Sequence, residues 1–301
     1  MAVSYRNEEI EFTTLDGLTL RGTLFPASKR GAAVIMTPGF NLTRRTLFPK
    51  VASNFQQHGI TALVYDPRTL GSSDGSPRNN IDPAEQVADY HDALTYLKSD
   101  SRVDPHRIAF WGMSFSGAVA LTAAALDPRA PLVIAVCPLT VWELPAGKLH
   151  GVLAKAMQDR ESQVSGNPPF SLPMIDEADG QNPAGFGEGS GAHELALVQR
   201  SLDELPDFAL NTTLQTYYNI VAWTPFAALR LLSDTPTLLV TPQDDRISPA
   251  AKQRALIYDK LEGTKEMYLV PDAGHMDVLD GSGFDSVMRA QVEFIHQHLH
   301  E

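Results

Sequence analysis

The chain has 301 residues, 43% of them hydrophobic, and 36 acidic against 24 basic side chains give it a formal charge of -12. That length and apolar fraction suit one large core, and the charge repels nucleic-acid phosphates and anionic membrane surfaces, so neither is an expected partner. A single cysteine, Cys137, excludes an intrachain disulfide, and its place in an apolar run reads as a small buried hydrophobe.

Residues 1–11 carry charge and no apolar stretch of signal-peptide type, and no later run reaches membrane-spanning length. The expectation is a cytoplasmic protein, on which the glycosylation sequons at Asn41 and Asn211 have no meaning. Runs at 10–14 and 18–25, separated by Asp16-Gly17, read as a hairpin closed by a tight turn. Short β-rich runs at 32–37, 61–65, 107–111 and 132–136 then alternate with helix-like segments at 43–58, 83–99 and 115–126. Strands alternating with helices imply a mostly parallel, doubly wound sheet.

From 139 to about 223 the alternation stops. This stretch is rich in Pro and Gly, with Asn167-Pro168-Pro169 and the run Gly185 to Gly191 as loop signals, yet 150–161 and 193–202 have helical character. It is expected to be an inserted, largely helical cap on a core made of 1–138 and 224–301. The rhythm resumes with strands at 237–241 and 266–270 and helices at 249–261 and 284–299.

Gly112-Met113-Ser114-Phe115-Ser116-Gly117 follows one of the expected strands and precedes an alanine-rich helix. A sharp strand-to-helix turn of this kind exposes a nucleophilic serine, and it needs small residues on either side because the two backbones nearly touch. Ser116 stands where the commoner pattern has a second Gly. Two further residues follow in the order such a serine requires: an acid in Gln243-Asp244-Asp245-Arg246 after the strand at 237–241, and His275 in Asp272-Ala273-Gly274-His275 after the strand at 266–270. His275 would take the proton of Ser114 during attack on a carbonyl carbon, and an ionised carboxylate would fix its tautomer. Asp245 is favoured over Asp244, because one residue then separates it from Ile247, which can dock under the sheet edge, and Pro249 can open the next helix.

The oxyanion formed on attack needs two backbone N–H groups, expected from Phe115 and from Phe40 in Thr37-Pro38-Gly39-Phe40-Asn41. Asp66, in the turn-rich loop after 61–65, is a rival acid whose structural reading is to brace that loop through backbone or Arg68. His296, His298 and His300 are spaced by two, which puts neighbours on opposite helix faces and argues against a metal site. In the cap, Trp142, Phe170, Leu172, Met174, Tyr217, Tyr218 and Trp223 could line a pocket above Ser114 suited to an apolar acyl group. Such chemistry needs neither cofactor nor metal.

The elbow at Ser114 with Asp245 and His275 resembles the α/β-hydrolase superfamily across the chain outside the cap. Met36 to Asn41, Tyr65-Asp66-Pro67-Arg68, Phe110 to Gly117, Asp159-Arg160-Glu161-Ser162-Gln163 and Gly166-Asn167-Pro168-Pro169-Phe170 further resemble the fungal polyketide transferase family. The resemblance implies an enzyme beside a polyketide synthase that takes a small-molecule acyl ester or thioester, carried by the synthase's carrier domain in the thioester case, and passes the acyl chain to an alcohol or to water. A plain carboxylester or lactone hydrolase would share the acyl-serine step. A catalytically silent binding scaffold of this fold would usually have lost one of the three residues, and all three are present.

Overall fold

The computed structural model describes residues 6–176, 180–186, 192–205 and 208–299. The start of the N-terminal segment, residues 187–191 of the glycine-rich run, and His300 lie outside the described residues.

The hairpin is formed by β1 (Glu8–Thr13) and β2 (Thr19–Phe25), which pair antiparallel, with Gly17 at φ +89 in the turn between them. There follow β3 (Gly31–Thr37), α1 (Phe48–Gln57), β4 (Thr61–Tyr65), α2 (Pro83–Leu97), β5 (Val103–Met113), α3 (Phe115–Leu126) and β6 (Val133–Val136). Helix α1 begins later than 43 because residues 43–47 are held as turns, and its first turn carries Pro49. Helix α2 starts where the Asp82 side chain accepts from the N–H groups of Ala84 and Glu85, a cap that offsets two of the helix's unpaired donors.

After β6 the chain leaves the sheet and returns only with β9. Between them lie α4 (Ala146–Val164), β7 (Ser171–Pro173), α5 (Ala192–Glu204), β8 (Asn211–Thr213), α6 (Leu214–Ala222) and a 3-10 helix at Pro225–Leu232. The two expected helices are longer than periodicity suggested. Helix α6 and the antiparallel pair β7–β8 were not expected, since three-residue strands are too short for alternation to reveal. Asp159, from one of the stretches carrying the family resemblance, holds these pieces together: its carboxylate accepts from the Phe170 N–H at 2.8 Å, Gln163 at 2.7 Å and Gln215 at 3.0 Å.

The chain closes with β9 (Thr237–Pro242), α7 (Ala250–Leu256), β10 (Lys265–Val270), α8 (Asp277–Asp280) and α9 (Phe284–His298). The eight-stranded sheet has the order β1-β2-β4-β3-β5-β6-β9-β10, and every pairing from β4 through β10 is parallel. The central strands are continuous apolar runs because helices cover both of their faces. On one side Tyr90 and Leu94 of α2 and the buried Ala118 to Ala124 of α3 pack with Leu63 and Phe110. On the other, Val51 and Phe55 of α1 and Val287, Phe294 and Ile295 of α9 pack with Val34, Trp111 and Ile134. This arrangement leaves the carboxyl ends of β3, β5, β6, β9 and β10 side by side along one edge, where ligands bind in open α/β sheets. No described helix is long and apolar enough to cross a membrane.

Candidate active site

Ser114 sits between β5 and α3 at φ 55, ψ −118, a conformation a β-carbon disfavours. The surroundings hold it there. Its N–H donates to Val136 at 2.8 Å, and its carbonyl accepts from Gly117 at 2.9 Å and Leu139 at 2.9 Å. A β-carbon on Gly112 would lie 2.0 Å from the Ser116 carbonyl oxygen, and one on Gly117 would lie 2.9 Å from Pro138 Cα, so both positions require glycine. Ser116, the departure from the common pattern, is buried, and its hydroxyl donates to the Pro38 carbonyl. The elbow is thereby tied to the loop after β3.

His275 arrives on the loop after β10. Its Nε2 lies 2.8 Å from Ser114 Oγ and its Nδ1 lies 2.8 Å from Asp245 Oδ2. Asp245, on the loop after β9, is fixed in turn: Oδ1 accepts from the Ile247 N–H at 2.9 Å and the Ser248 N–H at 2.8 Å, and Gln253 approaches Oδ2 at 3.4 Å. Gln253 is held by the Thr241 hydroxyl at 2.9 Å and by donating to the Ser248 carbonyl at 2.6 Å. Asp245 and His275 are buried, and Ser114 is half-buried. Asp244 is exposed and contributes only a backbone N–H, to the Ala273 carbonyl at 2.9 Å, which joins the two loops.

Cys137 belongs to this site, a placement its apolar sequence context did not disclose. It directly follows β6 at φ 37, its N–H donates to Val240 at 2.7 Å, and its Sγ lies 3.9 Å from His275 Nε2. Burial disfavours charge on the His275 ring, but Cys137 and Asp245, which face it, outweigh burial and raise its pKa well above the ordinary 6.5. Burial also pushes the Cys137 thiol up, so it faces the ring as a neutral group and the Asp245 carboxylate is the charge that matters.

The loop after β3 lies against the elbow: a β-carbon on Gly39 would be 3.4 Å from Ser114 Cβ, and the Phe40 and Phe115 rings are 5.5 Å apart. Phe115 is the first residue of α3, so its N–H has no carbonyl within the helix to reach, and the helix dipole adds positive potential at that end. Asn41 follows at φ 57, buried, with its amide donating to the Ala209 carbonyl at 2.5 Å, which links this loop to the segment before β8.

Ser114 and His275 open onto a cavity of about 130 Å³. Its walls include Phe40, Leu42, Leu139, Met174, Ile175, Phe186, Leu197, Val198, Ile247 and Met276, and among the described residues Asn182 is the one other polar side chain on them. Asn182 is spent on the Met174 carbonyl, the Tyr217 hydroxyl and the Ala184 and Phe186 N–H groups.

Of the seven pocket residues expected from the sequence, only Met174 lines this cavity. Trp142 and Trp223 stack edge-to-face at 4.7 Å, with Trp142 4.9 Å from the Phe115 ring, and tie the two ends of the stretch between β6 and β9 to α3. Tyr217 is fully buried with its hydroxyl on Asn182, while Phe170 and Tyr218 are exposed at 56% and 38%. Leu172 is half-buried in the same packing. The pocket falls instead to aliphatic residues on the loop after β7 and on α5. Asp66, the rival acid, is buried against the Arg44 guanidinium and accepts from the Ser72 N–H at 3.1 Å; it braces the loop through Arg44, since Arg68 is taken by Asp89 at 2.6 Å. His296 is exposed and His298 packs on Phe294 with ring centroids 4.5 Å apart, neither near this site.

The alpha/beta hydrolase family description matches residues 34–286. A thiohydrolase of Eupenicillium brefeldianum is 51% identical over 289 residues, 96% of this chain and 93% of its own length. A polyketide transferase of Aspergillus fumigatus is 44% identical over 294 residues, 97% of this chain and 98% of its own. The crystal structure of the alpha/beta hydrolase GrgF from a Penicillium species superposes with a TM-score of 0.89 at 39% identity, covering 98% of this chain and 99% of that one. With the elbow, its two partners and these relatives in view, the chain belongs to the alpha/beta hydrolase family, alongside the fungal thiohydrolases and polyketide transferases.

Proposed function

We propose that this protein is an acyl-transferring or thioester-releasing enzyme acting on a polyketide acyl chain through an acyl-Ser114 intermediate. The observation that carries the reading is the unbroken line Ser114 Oγ, His275, Asp245, each link 2.8 Å, opening onto an apolar cavity. His275 Nε2 takes the proton as Ser114 Oγ attacks the thioester carbonyl carbon, and Asp245 stabilises the imidazolium that forms. The N–H groups of Phe40 and Phe115 receive the oxyanion. Collapse breaks the C–S bond, His275 returns the proton to the departing thiolate, and the acyl group remains on Ser114. The same ring then deprotonates an alcohol or water, which releases the new ester or the acid.

In this reading 139–223 is a cap inserted into a core of 1–138 and 224–301, the acyl chain arrives as a thioester on a polyketide synthase carrier domain, and the enzyme works in the cytoplasm. No cofactor or metal enters any step. Incubation with an acyl thioester followed by mass spectrometry is expected to show an adduct on Ser114, and Ser114→Ala is expected to lower turnover by about 10⁶-fold. Unchanged turnover in that variant, with no adduct on the parent, would refute the proposal.

A further inference from the structure

Resting on that acyl-enzyme reading, the geometry points to a distal acyl-chain subsite behind the first cavity, entered between Ile175 and Val198. A cavity of about 130 Å³ falls well short of the roughly 300–1,000 Å³ that enclose a drug-sized ligand, so it holds the acyl carbons nearest the thioester and little more. A second cavity of about 370 Å³ adjoins it.

The two cavities share two residues, Ile175 and Val198, and each of these side chains is 8% exposed. The second is otherwise walled by Leu195, Ala196, Leu202 and Leu210, with Gln199 its one polar side chain among the described residues. Leu195, Val198, Gln199 and Leu202 are spaced i, i+3, i+4 and i+7 on α5, so they form one face of that helix. The neighbouring Leu197 faces the first cavity. Helix α5 is therefore a wall between two apolar spaces, and its thinnest point is a branched side chain on each side of the partition. The two shared residues, Ile175 and Val198, mark the place where a linear acyl chain longer than the first cavity passes into the second. The distal ligand is a saturated, highly reduced acyl segment, because among the described residues nothing on the second wall except Gln199 would pair with a row of ketones or hydroxyls.

The subsite makes chain-length preference depend on residues remote from Ser114. The probes are the butanoyl and dodecanoyl thioesters of N-acetylcysteamine, with thiol release measured for the parent enzyme, Ala196→Phe and Val198→Ala, and thermal melting recorded for each. Ala196→Phe, which fills the second cavity, is expected to lower the dodecanoyl-to-butanoyl ratio of kcat/KM by about tenfold, the effect of leaving two or so methylene groups in water. Val198→Ala, which widens the partition, is expected to raise the same ratio. If both variants keep the parent ratio, or lose activity on the two thioesters in equal proportion, the subsite is overturned while the acyl chemistry stands. A parent enzyme that releases thiol from neither thioester overturns the acyl-enzyme reading and the subsite with it.

Discussion

The ends of the parallel strands and the inner wall of the insertion meet at one cavity but are built by opposite means. At the strand ends nearly every polar atom has a named partner: Asp245 accepts from two backbone N–H groups and from His275, Gln253 steadies it, and Ser114 is locked by three backbone hydrogen bonds. The wall supplied by Met174, Ile175, Leu197 and Val198 is aliphatic and is positioned by packing alone. Directional bonds fix reacting atoms to within a fraction of an ångström, whereas dispersion contacts tolerate substitution of similar volume. Under the proposed function this is a division of labour, in which the strand ends set the chemistry and the segment between β6 and β9 sets the choice of substrate.

That contrast breaks most sharply at Asp245. Asp245→Asn keeps the shape of the line but loses its charge, and is expected to lower kcat by about 10⁴-fold. It also changes the pH profile. In the parent enzyme the raised His275 pKa keeps the ring protonated, and the base disabled, to above pH 6.5, so kcat/KM climbs with pH through a limb centred above that value. Without the carboxylate, one of the two groups that oppose burial is gone and the limb moves to lower pH. The same ion pair adds stability below the ordinary imidazole value of 6.5, and that contribution fades as pH rises through the raised value. A pH–rate profile of the residual activity, beside melting curves across pH, checks both signs.

Gly112→Ala tests the steric side of the elbow. Its new β-carbon would fall 2.0 Å from the Ser116 carbonyl oxygen, so the strand and helix must part. A loss of about 3 kcal/mol is expected, seen as a melting temperature lower by roughly 5–10 °C. The smallest effect is expected on the aliphatic wall: Met174→Ala should raise KM about three- to tenfold with a much smaller change in kcat, because it removes contact that substrate and transition state share. A fall in kcat as large as that of Asp245→Asn would erase the distinction between the two regions.

The sheet was legible in the sequence because buried parallel strands are apolar runs bounded by turns, and β4 and α3 fall at the expected bounds. The line through Ser114, Asp245 and His275 was legible because chain order and strand-end position are both linear in sequence. Cys137 was not, since an apolar run ending in cysteine looks alike whether or not the next strands carry an aspartate and a histidine to its side. The brace on Asp66 does run through backbone, from the Ser72 N–H, but its cation is Arg44, 22 residues away, and not the nearby Arg68, whose charge is already claimed by Asp89. The insertion's aromatics were expected on the pocket wall because composition reports apolarity and not direction. Trp142 and Trp223 satisfy each other and Phe115 instead.

The hydroxyl of Ser116, bonded to the Pro38 carbonyl, stands where the commoner elbow has only hydrogen. It fastens together the two chain segments that carry the Phe40 and Phe115 amides, so neither can drift without straining the other. In the proposed mechanism these amides receive the oxyanion, so the receptor is assembled before any substrate arrives and little reorganisation is left to occur as negative charge develops. Differences in rate between one acyl chain and another must then originate in how the chain is seated, not in how its oxyanion is received.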